Sequence, residues 1–109
     1  MVIVSGYNVY PREIEEALHR HAGVREAAVI GVPDSYRGEV LAAYVIADEG
    51  VTVTELTDYL SRNLVKYKWP ASLEIVRELP RTGAGKLDKK TLRKQRIARE
   101  QEHRDVAAG

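Results

Sequence analysis

Hydrophobic positions along the chain change period in a way that marks out elements. Ile14, Ala17, Leu18 and His21 fall at i, i+3, i+4 and i+7, the spacing of one helix face. This helix is predicted to begin at Pro11, because proline has no N–H to lose in a first turn. Glu13, Glu15 and Glu16 then stand near its positive end, and Gly23 is its natural stop. Ala27–Val32 is a continuous apolar run, predicted as a buried strand, and Pro33-Asp34-Ser35-Tyr36-Arg37-Gly38 is turn chemistry. Val40–Ala47 is a second apolar run, and the short connection favours antiparallel pairing with the first.

A second helical stripe follows at Leu56, Tyr59, Leu60, Asn63 and Leu64. Thr52 with Glu55 fits a capping box ahead of it, with Thr54 as a rival cap, and Pro70 bars its continuation. Leu73–Arg77 alternates as a half-buried third strand. Asp88 is a good N-cap for a last helix, with Leu87 and Leu92 at the hydrophobic-staple positions. Val2–Val4 is apolar but too short to stand alone as a strand, and Ser5-Gly6-Tyr7-Asn8 reads as a turn with Gly6 free to take positive φ. The expected architecture is a small α+β domain, with a three-stranded, mainly antiparallel sheet packed by about three helices. Past Gln95 the apolar stripe thins to Ile97 and Ala98, so the domain is expected over residues 1–98, with 99–109 a disordered tail.

Composition narrows the class. The chain has 109 residues, enough for one modest core. It has no apolar stretch long enough to span a membrane, and no basic start with an apolar core of the signal-peptide kind. With no cysteine, disulfides and thiolate metal sites are excluded. His19, His21 and His103 lack zinc spacing and read as solvated helix-surface histidines, so no metal site is predicted. These features fit a cytoplasmic protein, with a peripheral membrane position left open.

The net charge of +1 hides an asymmetry. Residues 1–80 hold 8 Lys+Arg against 12 Asp+Glu, and residues 81–109 hold 9 against 4. A basic segment on an acidic body points to an anionic partner. One candidate is nucleic acid, with Lys89, Lys90, Arg93, Lys94 and Arg96 lining a helix face as a stand-alone binding module. Against it, the chain has no evident groove-reading motif and few aromatics for stacking.

The segment Glu78-Leu79-Pro80-Arg81-Thr82-Gly83-Ala84-Gly85-Lys86-Leu87-Asp88 carries the other candidate. Its two glycines predict a mobile loop, and Lys86 ends that loop just before the helix cap. Such a lysine suits a cation delivered to a phosphate or carboxylate. It is not a phosphate-binding P-loop, because Pro80 replaces the first glycine and Leu87 replaces the Ser/Thr that would meet Mg²⁺. Composition alone leaves Lys86 as an exposed lysine on a flexible surface loop, with no base, nucleophile or metal site beside it.

Four stretches change that weighing. Val4–Glu16, Glu26–Asp34, Arg37-Gly38-Glu39 and Leu79–Leu87 resemble, in order, landmarks of the acyl-adenylate-forming superfamily, which includes acyl-CoA synthetases, peptide-synthetase adenylation domains and luciferase. The resemblance covers residues 2–95 and is to the small, mobile C-terminal domain of such enzymes. It implies an ATP-dependent carboxylate–CoA ligase with ATP and CoA as substrates, and Mg²⁺ held in a large N-terminal domain not contained in this chain. Met1 would then mark a cut in a longer chain or the start of a stand-alone gene product, and the chain alone is expected to be inactive. The implied partners are that N-terminal domain and a carboxylic acid, fatty or aromatic, with no nucleic acid.

Lys86 matches the family lysine that serves acyl-AMP formation. Gly6 and Tyr7 match the loop that comes in beside the CoA pantetheine for thioester formation, although by residue chemistry Gly6 is equally a plain turn glycine. Asn8 falls where some relatives place a polar residue for adenylation and others an arginine for CoA. The lysines that luciferase carries just before the glycine are replaced here by Ile3, Val4 and Ser5. The surroundings of Lys86 also fit the pattern of reversibly acetylated lysines, implying a lysine acetyltransferase as a further partner.

Overall fold

The computed structural model describes residues 1–108, with side chains through Glu102. Five strands and three helices follow in the order β1 Val2–Val4, β2 Tyr7–Val9, α1 Pro11–His19, β3 Val24–Asp34, β4 Gly38–Ala47, α2 Val53–Asn63, β5 Ser72–Ile75 and α3 Lys89–Ala108. A single 3₁₀ turn, Lys66–Lys68, lies between α2 and β5. The α+β class is as expected, but the sheet has five strands rather than three.

β4 is the centre of the sheet. β3 pairs antiparallel along its whole length, while β1 and β5 take the opposite edge, β5 running parallel from Ala42 to Val45. The long helical crossover through α2 brings β5 back parallel.

The two extra strands come from one local event. Ser5 and Gly6 both adopt positive φ, 50° and 85°, which closes a two-residue hairpin between Val4 and Tyr7. Val2–Val4 therefore does not stand alone: β2 pairs with it on one side and Gly38 of β4 on the other.

Alternation splits the core into two layers. Ala27, Val29, Leu41, Ala43 and Val45 face Ile14, Ala17 and Leu18 of α1 and Leu56 and Leu60 of α2. Ala28, Ile30, Val32, Ala42 and Tyr44 face the other way, under Leu79 and Leu92. Both faces of the β3–β4 pair are thus covered, which is why these strands read as continuous apolar runs rather than alternating ones.

Local signals set the helix starts. The Thr52 hydroxyl accepts from Glu55 N at 3.1 Å, so Thr52 and not Thr54 is the cap. Asp88 accepts from Thr91 N at 3.0 Å and heads α3. The helix α1 stops earlier than Gly23, at His19, with Arg20 as its C-cap. His21 lies beyond that helix and is not solvated. Its ring is 17% exposed, Nδ1 accepts from Gly23 N, Nε2 meets Glu55 at 2.8 Å, and Tyr59 packs edge-on. His19 is exposed, and the side chain of His103 lies outside the described residues.

α3 continues past the boundary expected at residue 98. Arg96 reaches the Tyr44 hydroxyl at 2.8 Å and Glu100 at 2.7 Å, and Arg99 forks onto both oxygens of Glu74 at 3.1 and 3.2 Å. Residue 109 lies outside the described residues. Among the described residues no helix is long and apolar enough to cross a membrane.

Ser5 holds a left-handed conformation that asparagine takes more readily and that a β-branched residue resists. Ser5→Asn should raise stability by about 0.5 kcal/mol and Ser5→Val should lower it by about 1–2 kcal/mol. The midpoint of urea unfolding, at unchanged slope, reads both.

Candidate functional site

The segment predicted as a mobile loop is closed by backbone hydrogen bonds. Thr82 N donates to Lys86 O at 2.8 Å, Gly85 N donates to Thr82 O at 2.9 Å, and Asp88 N donates to Pro80 O at 2.8 Å. Arg81 and Leu87 form an antiparallel bridge across the base of this turn. Gly85 takes φ 85°, which the tight return requires and side chains resist. Gly85 therefore shapes a small hairpin rather than loosening a loop.

Lys86 leaves this hairpin exposed. Among the described residues its ammonium makes no ion pair. Arg81 and Lys89, on either side of it, are in contrast engaged. Arg81 pairs with Glu26 on β3 and its Nη1 donates to Gly85 O at 3.2 Å. Lys89 meets Glu15 of α1 at 2.6 Å, and the same Glu15 oxygen accepts from Val29 N at 2.8 Å. Lys86 is thus a free cation on a scaffold anchored on both sides, by Leu79 before it and Leu92 after it.

The cap below it carries a shifted carboxylate. The Thr91 hydroxyl, 2.7 Å away, and the Thr91 N–H hold Asp88 below the usual carboxylate range, helped by Lys90 and Lys94.

The other predicted residues sit apart from Lys86 on the β1–β2 hairpin. Gly6 is at its tip, and Tyr7 and Asn8 are exposed on β2. A β-carbon added at Gly6 meets no atom of this chain within 4 Å, so within the chain its backbone angle demands glycine and the space above stays open. Asn8 pairs with Ile3 across the hairpin.

Tyr7 has partners that the sequence did not reveal. Its ring stacks on Tyr67 at 4.5 Å and 19°. A cleft of about 440 Å³ opens here, bordered by Ser5, Tyr7, Arg37, Lys66, Tyr67 and Trp69. The 3₁₀ turn that carries Tyr67 is fastened to α1 through Lys68, whose ammonium meets Glu13 at 3.0 Å and is held above the ordinary lysine range by that bond. Exposed aromatic faces beside two cations suit an aromatic heterocycle bearing phosphates. These residues lie far apart in sequence, so only the exposed aromatics of Tyr67-Lys68-Trp69 offered a signal. A more apolar groove of about 450 Å³, between α2 and Trp69–Leu73, contains none of the predicted site residues.

The basic helix proposed for nucleic acid is largely engaged with its own domain. Lys89, Arg96 and Arg99 pair with Glu15, Glu100 and Glu74, and Arg93 donates to Gly31 O at 2.9 Å. Among the described residues no group of three or more His, Asp or Glu is placed to hold a metal ion.

A five-stranded α+β domain presenting an exposed lysine on a glycine-closed hairpin matches known proteins. Residues 13–86 match the family described as AMP-binding enzyme C-terminal domain, and the chain belongs to it. It is 46% identical over 94 residues to a long-chain-fatty-acid–CoA ligase of Bacillus subtilis, covering 84% of this chain and 17% of that protein. It is 43% identical over 93 residues to a 2-succinylbenzoate–CoA ligase of Bacillus pumilus, covering 85% of this chain and 19% of that protein. Among solved structures, a Mycobacterium tuberculosis fatty acyl CoA synthetase superposes with a TM-score of 0.82 at 42% identity, covering 87% of this chain and 19% of that one. The chain therefore spans about a fifth of the length of the relatives it matches.

Because the Asp88 carboxylate is depressed in the folded chain, its contribution is present above the unfolded value of about 3.9 and is lost as pH falls through the folded value. Asp88→Asn keeps a capping side chain but cannot titrate. The acid-unfolding profile of the variant should be flatter than that of the parent below about pH 4, and thermal melts at pH 3 and pH 6 measure the difference.

Proposed function

We propose that this chain is the small domain of an ATP-dependent carboxylate–CoA ligase, and that Lys86 serves its adenylation step. The observation that carries this reading is the placement of Lys86, an exposed ammonium with no ion pair among the described residues, on an anchored hairpin in a domain of this family. In acyl-AMP formation a carboxylate oxygen attacks the α-phosphorus of ATP and pyrophosphate leaves. Negative charge gathers between the carboxylate and the α-phosphate. Such transfers are accelerated chiefly by position and by fixed charge, and a free lysine supplies both without needing a proton transfer. The large domain would hold the acid, ATP and Mg²⁺, which is why the chain alone is expected to be inactive.

In the second half-reaction the CoA thiol attacks the acyl carbonyl and AMP leaves. We assign this step to the other hairpin. Gly6 leaves room for a thin chain, Tyr7 lines it, and the cleft beside Tyr7, Arg37, Lys66 and Tyr67 offers stacking faces and two cations to a nucleotide with phosphates. Asn8, on the exposed face of β2, is assigned to the same hairpin surface. A fatty or aromatic acid is the proposed substrate class. An acetyltransferase acting on Lys86 would remove its charge and stop adenylation.

Half-reactions separate these roles. In the full-length protein, Lys86→Ala should slow acyl-AMP formation on the order of a hundredfold, while supplied acyl-AMP is still converted to acyl-CoA. Equal loss of both halves contradicts the assignment. Tyr67→Ala should do the opposite, raising the KM for CoA about tenfold with adenylation unchanged.

A further inference from the structure

We propose that Arg81 is a positioning residue for adenylation, fixing through Gly85 and Glu26 the turn that presents Lys86. This rests on the assignment of Lys86 above and adds to it a residue that does not itself touch substrate.

The geometry points one way. The carbonyl that accepts from Arg81 Nη1, at 3.2 Å, belongs to the peptide linking Gly85 to Lys86. Holding that oxygen fixes the plane of the peptide from which the Lys86 side chain departs. The other arm of the guanidinium, Nη2, pairs with Glu26. Glu26 is not on the hairpin. It lies on β3, opposite Ile46 of β4, and its place in the strand alternation puts it on the same face as Ala28 and Ile30, beneath the hairpin. One planar fork therefore ties the Gly85–Lys86 peptide to the most extensively paired part of the sheet.

Local backbone bonds alone do not achieve this. The contacts Thr82 N to Lys86 O and Gly85 N to Thr82 O close the turn on itself, and Leu87 at its base packs on the apolar layer beneath, a contact that has little directional preference. Arg81 adds a directional polar link between turn and sheet. Lysine cannot replace it, because a single ammonium lacks the fork that reaches a carbonyl and a carboxylate in fixed directions.

A structural role and a positioning role differ in what they move. Both partners are a third or more exposed, 41% for Arg81 and 34% for Glu26. Pairs this wet add little to global stability. Misplacing a catalytic cation by a fraction of its reach, however, costs rate steeply. The proposal is therefore that removing Arg81 leaves the fold intact, frees the hairpin and slows only the step that needs Lys86.

The test joins amide hydrogen exchange on the chain with half-reaction kinetics on the full-length protein. In Arg81→Gln, the Thr82 and Gly85 amides should exchange on the order of tenfold faster, with the Ala43 and Val45 amides of β4 unchanged. The kcat for acyl-AMP formation should fall on the order of tenfold, with the KM for ATP and the thioester half-reaction within about twofold. Glu26→Gln should reproduce the effect in part without touching Arg81, and Arg81→Lys should not rescue it. Acceleration of exchange throughout β4 would mean a structural role and overturn the proposal. So would adenylation kept within about twofold in Arg81→Gln while Lys86→Ala slows it on the order of a hundredfold, and in that case the Lys86 assignment stands. Adenylation retained in Lys86→Ala overturns both.

Discussion

The structure depends on covering the second face of the β3–β4 pair. One face is closed by α1 and α2, through Ile14, Leu18, Leu56 and Leu60. The other exposes Ala28, Ile30, Val32, Ala42 and Tyr44 unless something crosses it. What crosses it is the segment from Leu79 to Leu92, and each of those leucines is less than a tenth exposed. At about 2 kcal/mol for a well-buried leucine, the two ends of this segment hold firmly, while the polar stretch between them is left outside. The hairpin carrying Lys86 is that stretch. Its place at the margin of the sheet follows from hydrophobic burial on either side of it, and polar contacts then refine its orientation.

The polar contacts are weak one by one and consistent as a set. Glu15 accepts from Val29 N and pairs with Lys89, and Arg93 donates to Gly31 O. These groups satisfy the outer edge of β3, which has no strand partner among the described residues, and they come from the N-terminal halves of α1 and α3. The acidic body and basic tail of the chain, which at first suggest an external anion, meet each other here. The asymmetry of charge along the sequence is in good part an internal docking surface for α3. Lys86 stands out by its place, exposed on the closed hairpin between two anchored ends, with no ion pair among the described residues.

Legibility in the sequence followed the range of the interaction. Caps were readable, because Thr52 and Asp88 act on N–H groups three residues away. The buried strands were readable from unbroken apolar runs. The β1–β2 hairpin was not, because it needs Ser5 in a conformation serine seldom adopts, and three-residue strands acquire a partner only after that turn forms. The spacing of His21 matches the α1 face, but the helix ends two residues earlier and the ring turns to Glu55 and Tyr59. The Tyr7–Tyr67 stack joins residues sixty positions apart and left no local trace. Glycine beside Lys86 suggests slackness in the sequence, whereas the structure uses it for the positive φ that closes a turn. The lysine itself was visible as a cation. Its reaction came only from family resemblance.

The central claim is that a positive charge at the end of the Lys86 side chain, held by its hairpin, promotes acyl-AMP formation. The chain contains no cysteine, so a Lys86→Cys change introduces one addressable thiol into this domain. The direct measurement is acyl-AMP formation by full-length Lys86→Cys before and after alkylation with 2-bromoethylamine, which rebuilds a lysine-like ammonium, or with iodoacetamide, which adds a neutral group of similar length. The parent protein treated in the same way is the control. The account predicts that aminoethylation restores most of the lost rate and that the neutral adduct does not. Equal rates from the two adducts, or no recovery with the ammonium in place, would contradict it.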